Sequence, residues 1–364
     1  DTLFKHSEFK GGANNEDNIN LEFYHTINKD NNSVVGIKKS DFTYKGNTWY
    51  ANKEKSKSNN KIVFDNDFKN INIQSIIFTY LDEEINLKGV TQGKDYKNLK
   101  ATFKNVDLNK ITPRIDSLNF MGRVDGELSL LQENGNYFPT SNIKVKDLDI
   151  NQTPIGELLL KVTGNQDLTE YLVDTKLIDY NDKKTLTALG IINVSENNPF
   201  INVDVNLDKF GISEFSALGG DIITDIRGFV SGKAKISGSY KKPSIDGVLN
   251  LDQAGLMVPY LNVDLGFDDN SRVILNKQRF DFDNINITDS KYNTQGVLGG
   301  YIAHKNFSKW DFGLELLADE RLLVLDTEEN EESLYYGTGF IRGQARITGP
   351  TDELSIKVEA TTED

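Results

Sequence analysis

The sequence predicts a mainly β chain, with antiparallel strands joined into one long repetitive sheet and short helical or irregular inserts. Three observations carry that reading. Apolar and polar residues alternate with period two, as Ala234, Ile236 and Gly238 do against Lys233, Lys235 and Ser237, which marks a half-buried strand. Clusters rich in Asn and Ser, such as KEKSKSNN (53–60) and NVSENNP (193–199), suit the turns between strands. Finally, a five-residue phrase, G-[F/R]-[V/I]-x-G, occurs as GRVDG at 122–126, GFVSG at 228–232 and GFIRG at 339–343. Its starts lie 106 and 111 residues apart, so a large unit repeats about three times.

Taken in order, residues 1–60 read as an N-terminal β segment or boundary, 61–221 as β repeats with inserts, and 222–364 as a further β segment. Ile71 and Ile73 flank Asn72 in the first clear alternation. An insert, VDLNKITPRIDSLNFMG (106–122), then leads to GRVDG, after which Val124, Gly126, Leu128 and Leu130 oppose Arg123, Asp125, Glu127 and Ser129. Val203, Val205 and Leu207 precede a second insert (205–228), in which ISEFSAL (212–218) has the composition of a short helix ended by the glycines after it. Ile285 and Ile287, then Phe312, Leu314 and Leu316, lead to a third insert (314–339). Ile341, Gly343, Ala345 and Ile347, followed by Ile356 and Val358, complete the pattern. Gly126, Gly232 and Gly343 each fall in the apolar row, where a missing side chain permits a bend or a close neighbour.

Composition removes several functional classes. Lys plus Arg number 41 against 55 Asp plus Glu, a net charge of −14, which opposes general nucleic-acid binding. The absence of cysteine excludes disulfides and thiolate chemistry. The opening DTLFKHSEFKGGANNEDNIN has no basic segment followed by an apolar one, and no run of about 18 apolar residues follows. The chain is therefore expected to be a fragment whose membrane attachment lies in a region outside it.

No constellation points to catalysis or a cofactor. GTGFIRG (337–343) lacks the Lys-Ser/Thr ending of a phosphate loop and runs into an alternating strand. His6, His25 and His304 are scattered, and each reads as a surface or boundary residue. Asp264, Asp268 and Asp269, with Asp281 and Asp283, fit turn carboxylates better than a calcium loop. EENEE (328–332) reads as a solvated insert. The expectation is a protein that is not an enzyme and uses neither metal nor cofactor.

Two stretches give the chain a recognisable look. RGFVSGKAKISGSYKKPSIDGVLNLDQAGLMVPYLNVDLGF (227–267) and YYGTGFIRGQARITGPTDELSIKVEATT (335–362) resemble the β-rich region of the TamB family within the AsmA-like superfamily. They are closer to Bacteroidota forms than to the best-known proteobacterial ones. The resemblance is strongest over 220–364. It implies an elongated, curled, β-taco-like sheet forming a groove or tube in the periplasm, in a full-length protein anchored at the inner membrane and reaching toward the outer membrane. It further implies phospholipid transport or outer-membrane protein assembly beside an Omp85-type barrel.

A sheet with one apolar face must hide that face against helices, another sheet, itself or a ligand. With few long amphipathic helices on offer, curling the sheet on itself is the economical solution. Candidate lining residues are Val124, Leu128, Leu130, Val230, Ile236, Ile245, Leu249, Leu251, Val297, Ile341, Ile347, Ile356 and Val358, with Gly126, Gly232 and Gly343 shaping the groove. On the residues alone, an ordinary filled core is the favoured role for these positions; the resemblance reverses that preference toward a lipid groove. The alternative function is an assembly scaffold or chaperone for outer-membrane β-barrel proteins, acting through an open strand edge.

Overall fold

The computed structural model describes residues 2–11, 18–52, 60–112, 119–213, 216, 223–239, 242–305, 308–329 and 336–363. The first strands are β1 (Thr2–Gly11), β2 (Asn18–Ile27), β3 (Ser33–Ile37), β4 (Ser40–Tyr44), β5 (Asn47–Ala51), β6 (Lys61–Phe64) and β7 (Asn70–Tyr80). Then come β8 (Glu83–Gln92), β9 (Tyr96–Asp107), helix α1 (Leu108–Ile111), β10 (Phe120–Glu133), β11 (Asn136–Ile150), β12 (Thr153–Gly164), β13 (Glu170–Ile178), β14 (Lys184–Asn193) and β15 (Phe200–Gly211). The last group is β16 (Thr224–Ser239), β17 (Lys242–Val258), β18 (Val263–Phe267), β19 (Arg272–Lys277), β20 (Arg279–Asp289), β21 (Gln295–Lys305), β22 (Ser308–Thr327), β23 (Gly337–Pro350) and β24 (Ser355–Glu363).

All pairings among them are antiparallel, and each strand lies beside its neighbour in the chain or next but one, apart from the split positions near β2 to β7. There, β3 and β4 together occupy one position against β2, and β5 and β6 together occupy the next. In the same way β18 and β19 share the position between β17 and β20. Among the described residues, twenty-four strands less three shared positions leave 21 rungs in one continuous meander. At about 4.8 Å per rung the sheet is roughly 100 Å long. Among the described residues β1 pairs with β2 alone and β24 with β23 alone, so the sheet stays open and is not a barrel. The short turns are built from residues that tolerate a left-handed backbone, as at Asn134-Gly135 (φ 51° and 83°) between β10 and β11.

The sheet is bent along a line of β-bulges. Ser75, Asn105, Asp147, Lys209, Gln253 and Asn284 have φ between 48° and 53°, and each sits where the register slips, on β7, β9, β11, β15, β17 and β20. A seventh slip lies on β22 between Ala318 and Leu322. A bulge places two residues opposite one and raises local twist and curvature, so a row of them folds the sheet lengthwise. The recurring glycine phrase is the partner of three of these bulges. Its fourth residue, Asp125, Ser231 or Arg342, lies opposite the extra residues. The first two cap the bulge, since Asn105 N–H donates to Asp125 Oδ1 and Lys209 N–H to Ser231 Oγ, both at 2.9 Å.

Folded lengthwise, the sheet buries its inner face near the crease. Val106, Val124, Val145, Leu177, Phe210, Val230, Leu251, Val273 and Ile285 belong to one apolar cluster running from β9 to β20, with Trp49 extending it into the N-terminal strands. The three inserts leave the same edge of the sheet, beside this crease. The first contains α1, one of the short helical or irregular inserts expected: Leu108 begins the helix and packs with Ile111 on the cluster, while β9 ends at Asp107. Of the helix expected at 212–218, only residues 212, 213 and 216 are described, and most of the turn cluster at 53–60 and residues 330–332 of the acidic insert also lie outside the described residues.

Candidate functional site

Register shows how continuous the inner face is. One cross-strand row runs Val106, Val124, Val145, Leu158, Leu177, Leu186 and Leu207 from β9 to β15. It continues Gly232, Leu249, Val273, Phe282, Gly300, Leu314, Ile347 and Ile356 to β24. Those fifteen directly paired positions contain no polar side chain. The next row toward the opposite edge begins Ile85, Phe103, Gly126, Ile143, Leu160, Thr175, Ala188 and Val205. It goes on through Ala234, Gly247, Leu275, Phe280, Ile302 and Phe312 to Gly349, with Thr175 its one polar member.

Exposure grades across this face. Val106 is 0% and Val124 2% exposed at the crease, whereas Leu128, four residues nearer the opposite edge, is 44% exposed. The face is thus a groove, packed at its floor and open along one rim. Between β7 and β13 it widens into a cavity of ≈ 680 Å³ lined chiefly by Ile73, Leu87, Leu99, Leu128, Leu130, Pro139, Ile143, Leu160, Val162 and Tyr171. The open face is also visible in the total: the molecule exposes 21619 Å², against about 14,700 Å² for a compact monomer of its mass.

The positions singled out from sequence fall as follows. Val124, Leu249, Ile347 and Ile356 stand in the uninterrupted apolar row. Leu128, Ile236 and Ile245 lie one row out from Ile143 and Ala234, and Leu130 lies closer still to the rim. Val230 and Leu251 pair with each other on the crease side, as Ala345 pairs with Val358, and Ile341 pairs with the fully buried Leu322. Val297 is different: its register partners are Asn286 and Leu317, which places it on the outer face while its neighbour Leu298 faces inward. Sequence reasoning missed the aromatic part of the groove, where Phe280, Phe282 and Phe312 face inward beside His304 and Trp310.

Gly126, Gly232 and Gly343 share one geometry. Their φ angles are 139°, 155° and 144°, and a Cβ on each would stand 2.2, 2.2 and 2.5 Å from a carbonyl oxygen of the following strand. They permit close strand approach at the crease and cannot carry side chains into the groove.

Polar groups keep mainly to the outer face. Lys235 pairs in register with Asp204 and Asp246, and Lys146 with Asp125 and Arg346 with Glu315 form ion pairs at 2.8 and 2.9 Å. His304, expected at a surface or boundary, is instead buried between Phe280 and Trp310, and burial holds its pKa below the ordinary value. The side chain of His6 lies outside the described residues. Asp264 pairs with Arg227 and Asp281 with Arg279, while Asp269 accepts from Gln253 N–H at a bulge and Asp268 from Asn286 Nδ2. Among the described residues no cluster of three His, Asp or Glu could hold a metal, and no helix is long and apolar enough to cross a membrane.

A family model described as TamB, the TamB C-terminal domain, matches residues 283–364. The match takes in most of β20, all of β21 to β23, the third insert, GFIRG and the described length of β24. No curated protein and no solved structure matches the chain.

Proposed function

We propose that this chain carries phospholipids between inner and outer membranes through its apolar β-lined groove. It would act as a non-enzymatic periplasmic bridge, in a longer protein anchored at the inner membrane. The observation that carries this reading is the fifteen-position apolar row beneath an open rim. An acyl chain gains about 0.8 kcal/mol per methylene removed from water, and successive rungs about 4.8 Å apart offer it nearly equivalent places. A lipid can therefore shift from rung to rung without crossing a polar interruption. The similarity of residues 283–364 to the TamB C-terminal domain supports the same reading, and the net charge of −14 disfavours broad adsorption to an anionic bilayer.

The test is photo-crosslinking of the chain purified from a phospholipid-containing host, with the reactive residue placed separately at Ile236, Leu249 and Ile347 and at outward-facing Lys235. Phospholipid adducts at the three inner sites and not at Lys235 support the groove. Their absence in folded protein with efficient incorporation overturns it.

One observation favours a second reading, an assembly scaffold that offers a strand template to a β-barrel client or an Omp85-type partner. Among the described residues β24 pairs on one side only, and its inward residues Ile356 and Val358 are each 54% exposed. Saturable binding of an extended barrel-strand peptide along β24, with no lipid adduct in the groove, selects that reading.

A further inference from the structure

The rim of the wide part of the groove carries an unusual rung. Moving outward from Leu99, Leu130 and Pro139, the next inward-facing positions are Lys97, Gln132 and Tyr137, directly paired across β9, β10 and β11. Lys97 Nζ donates to Tyr137 Oη at 3.1 Å and lies 5.3 Å from the centroid of that ring, and it makes no ion pair with a described residue. Among the described residues this cation has no counter-ion, on the inner face of a molecule of net charge −14. Gln132 between them is 4% exposed. Its Nε2 donates to Gly135 O at 3.2 Å, but its Oε1 is buried with no hydrogen-bond partner. An orphaned buried acceptor costs the desolvation of that group unless a donor arrives. Below the rung lies the ≈ 680 Å³ apolar cavity, within the range of small-molecule sites, about 300–1,000 Å³.

The geometry points to a resting site for one phospholipid whose headgroup carries a hydrogen-bond donor beside its phosphate, the ethanolamine class being the fit. The acyl chains occupy the cavity, the phosphate accepts from Lys97 Nζ and Tyr137 Oη, and the ammonium donates to Gln132 Oε1. A choline headgroup satisfies Lys97 equally and leaves Gln132 Oε1 unpaired, so the site discriminates between the two classes. The assignment rests on the groove reading above and adds to it a fixed station and a headgroup preference.

The experiment uses the full 364-residue chain loaded from vesicles of phosphatidylethanolamine or phosphatidylcholine with identical acyl chains. Each lipid carries a photoreactive group either on its headgroup or at its acyl terminus. Headgroup adducts are expected at the β9, β10 and β11 ends, about tenfold more abundant for ethanolamine than for choline. Gln132→Leu is expected to abolish that preference, and Lys97→Gln to lower adducts of both lipids, with acyl adducts at Leu130 and Leu160 retained. Lys97 is half-buried at the rim, so Lys97→Gln keeps the test open should Gln132→Leu fail to fold. Equal headgroup adducts from both lipids, or a preference that survives Gln132→Leu, overturn the site and leave the groove standing. Loss of all acyl adducts overturns the groove itself. Displacement of the headgroup adduct by millimolar soluble glycerophosphoethanolamine as readily as by intact lipid overturns the role given to the cavity and reduces the rung to an anion site.

Discussion

The backbone at Gly232 combines two restrictions, a φ of 155° and a carbonyl oxygen, of Val248, 2.2 Å from where a Cβ would stand. Gly46 carries only the first, with φ 73° and nothing within 4 Å. Gly46→Ala should cost about 1 kcal/mol through the left-handed backbone alone. Gly232→Ala should cost about 3 kcal/mol, because strain adds to a clash that only a shift of β17 can relieve. Urea unfolding of both variants checks this, and equal losses would remove the crease argument. For the same reason Ala234, on the inner face two residues away, is a better place than Gly232 for a bulky groove block. His304 supplies a pH-dependent counterpart. Burial holds its folded pKa below the ordinary 6.5, so as pH falls through that value the unfolded chain takes up a proton and the folded chain does not. The contribution of the neutral imidazole is therefore present above 6.5 and lost as pH falls from there toward the lower folded value. Asp125 and Asp326, held below the usual carboxylate value by hydrogen bonds from Lys146 and Lys291, lose their contributions only in more acid solution, below about 3.8. Melting curves between about pH 7.5 and pH 5 should fall for the wild type and flatten for His304→Phe; parallel curves would show that the imidazole takes up its proton equally in the folded and unfolded states.

At the scale of elements, α1 is held by a buried carboxylate. Glu83 at the start of β8 is 2% exposed. It pairs with Lys110 of α1, accepts from Asp107 N–H at 3.0 Å, and lies 3.6 Å from Arg123, the second residue of GRVDG. Lys110 also lies 3.9 Å from the centre of the Tyr80 ring. Removing one member of such a group strands the others, at about 3–5 kcal/mol. Glu83→Ala should therefore release the first insert, and hydrogen exchange at Thr112, whose N–H bonds Leu108 O, should rise before exchange in β12 or β13. Unchanged protection at Thr112 would mean that α1 is held by Leu108 and Ile111 alone. The helix was not legible in the sequence because four residues cannot display a 3.6-residue period, and the Asp107 cap is one of many aspartates suited to turns. Strands were legible wherever apolar residues alternate, as along Ile341 to Ile347. They were not where two apolar residues adjoin: in Val297-Leu298 composition offers either for the groove, and only the pairing of Leu298 with Ile285 and Leu316 decides. The glycine phrase was visible as a repeat, but its reason, a bulge on the preceding strand, lies in residues 104–105 and 208–209, which have no common wording.

For the whole molecule, the open meander makes a claim about shape that no single residue can make. A sheet folded lengthwise keeps its stacking direction, so 21 rungs still span roughly 100 Å at about 4.8 Å each. A uniform rod of that length has a radius of gyration near 29 Å, against about 21 Å for a compact domain of this many residues. Closing the same strands into two packed sheets would halve the length and hide the inner face, bringing both the radius and the 21619 Å² of exposed surface toward globular values. Small-angle scattering of the dilute chain should therefore give a radius near 29 Å and a largest dimension near 100 Å. A value near 21 Å would mean that the strands do not stay in one continuous ladder in solution, leaving no continuous path along the apolar row from Val106 to Ile356. Phospholipid should alter this measurement little. The floor is already packed at the crease, so lipid entering through the rim fills space inside the groove without lengthening the ladder that defines it.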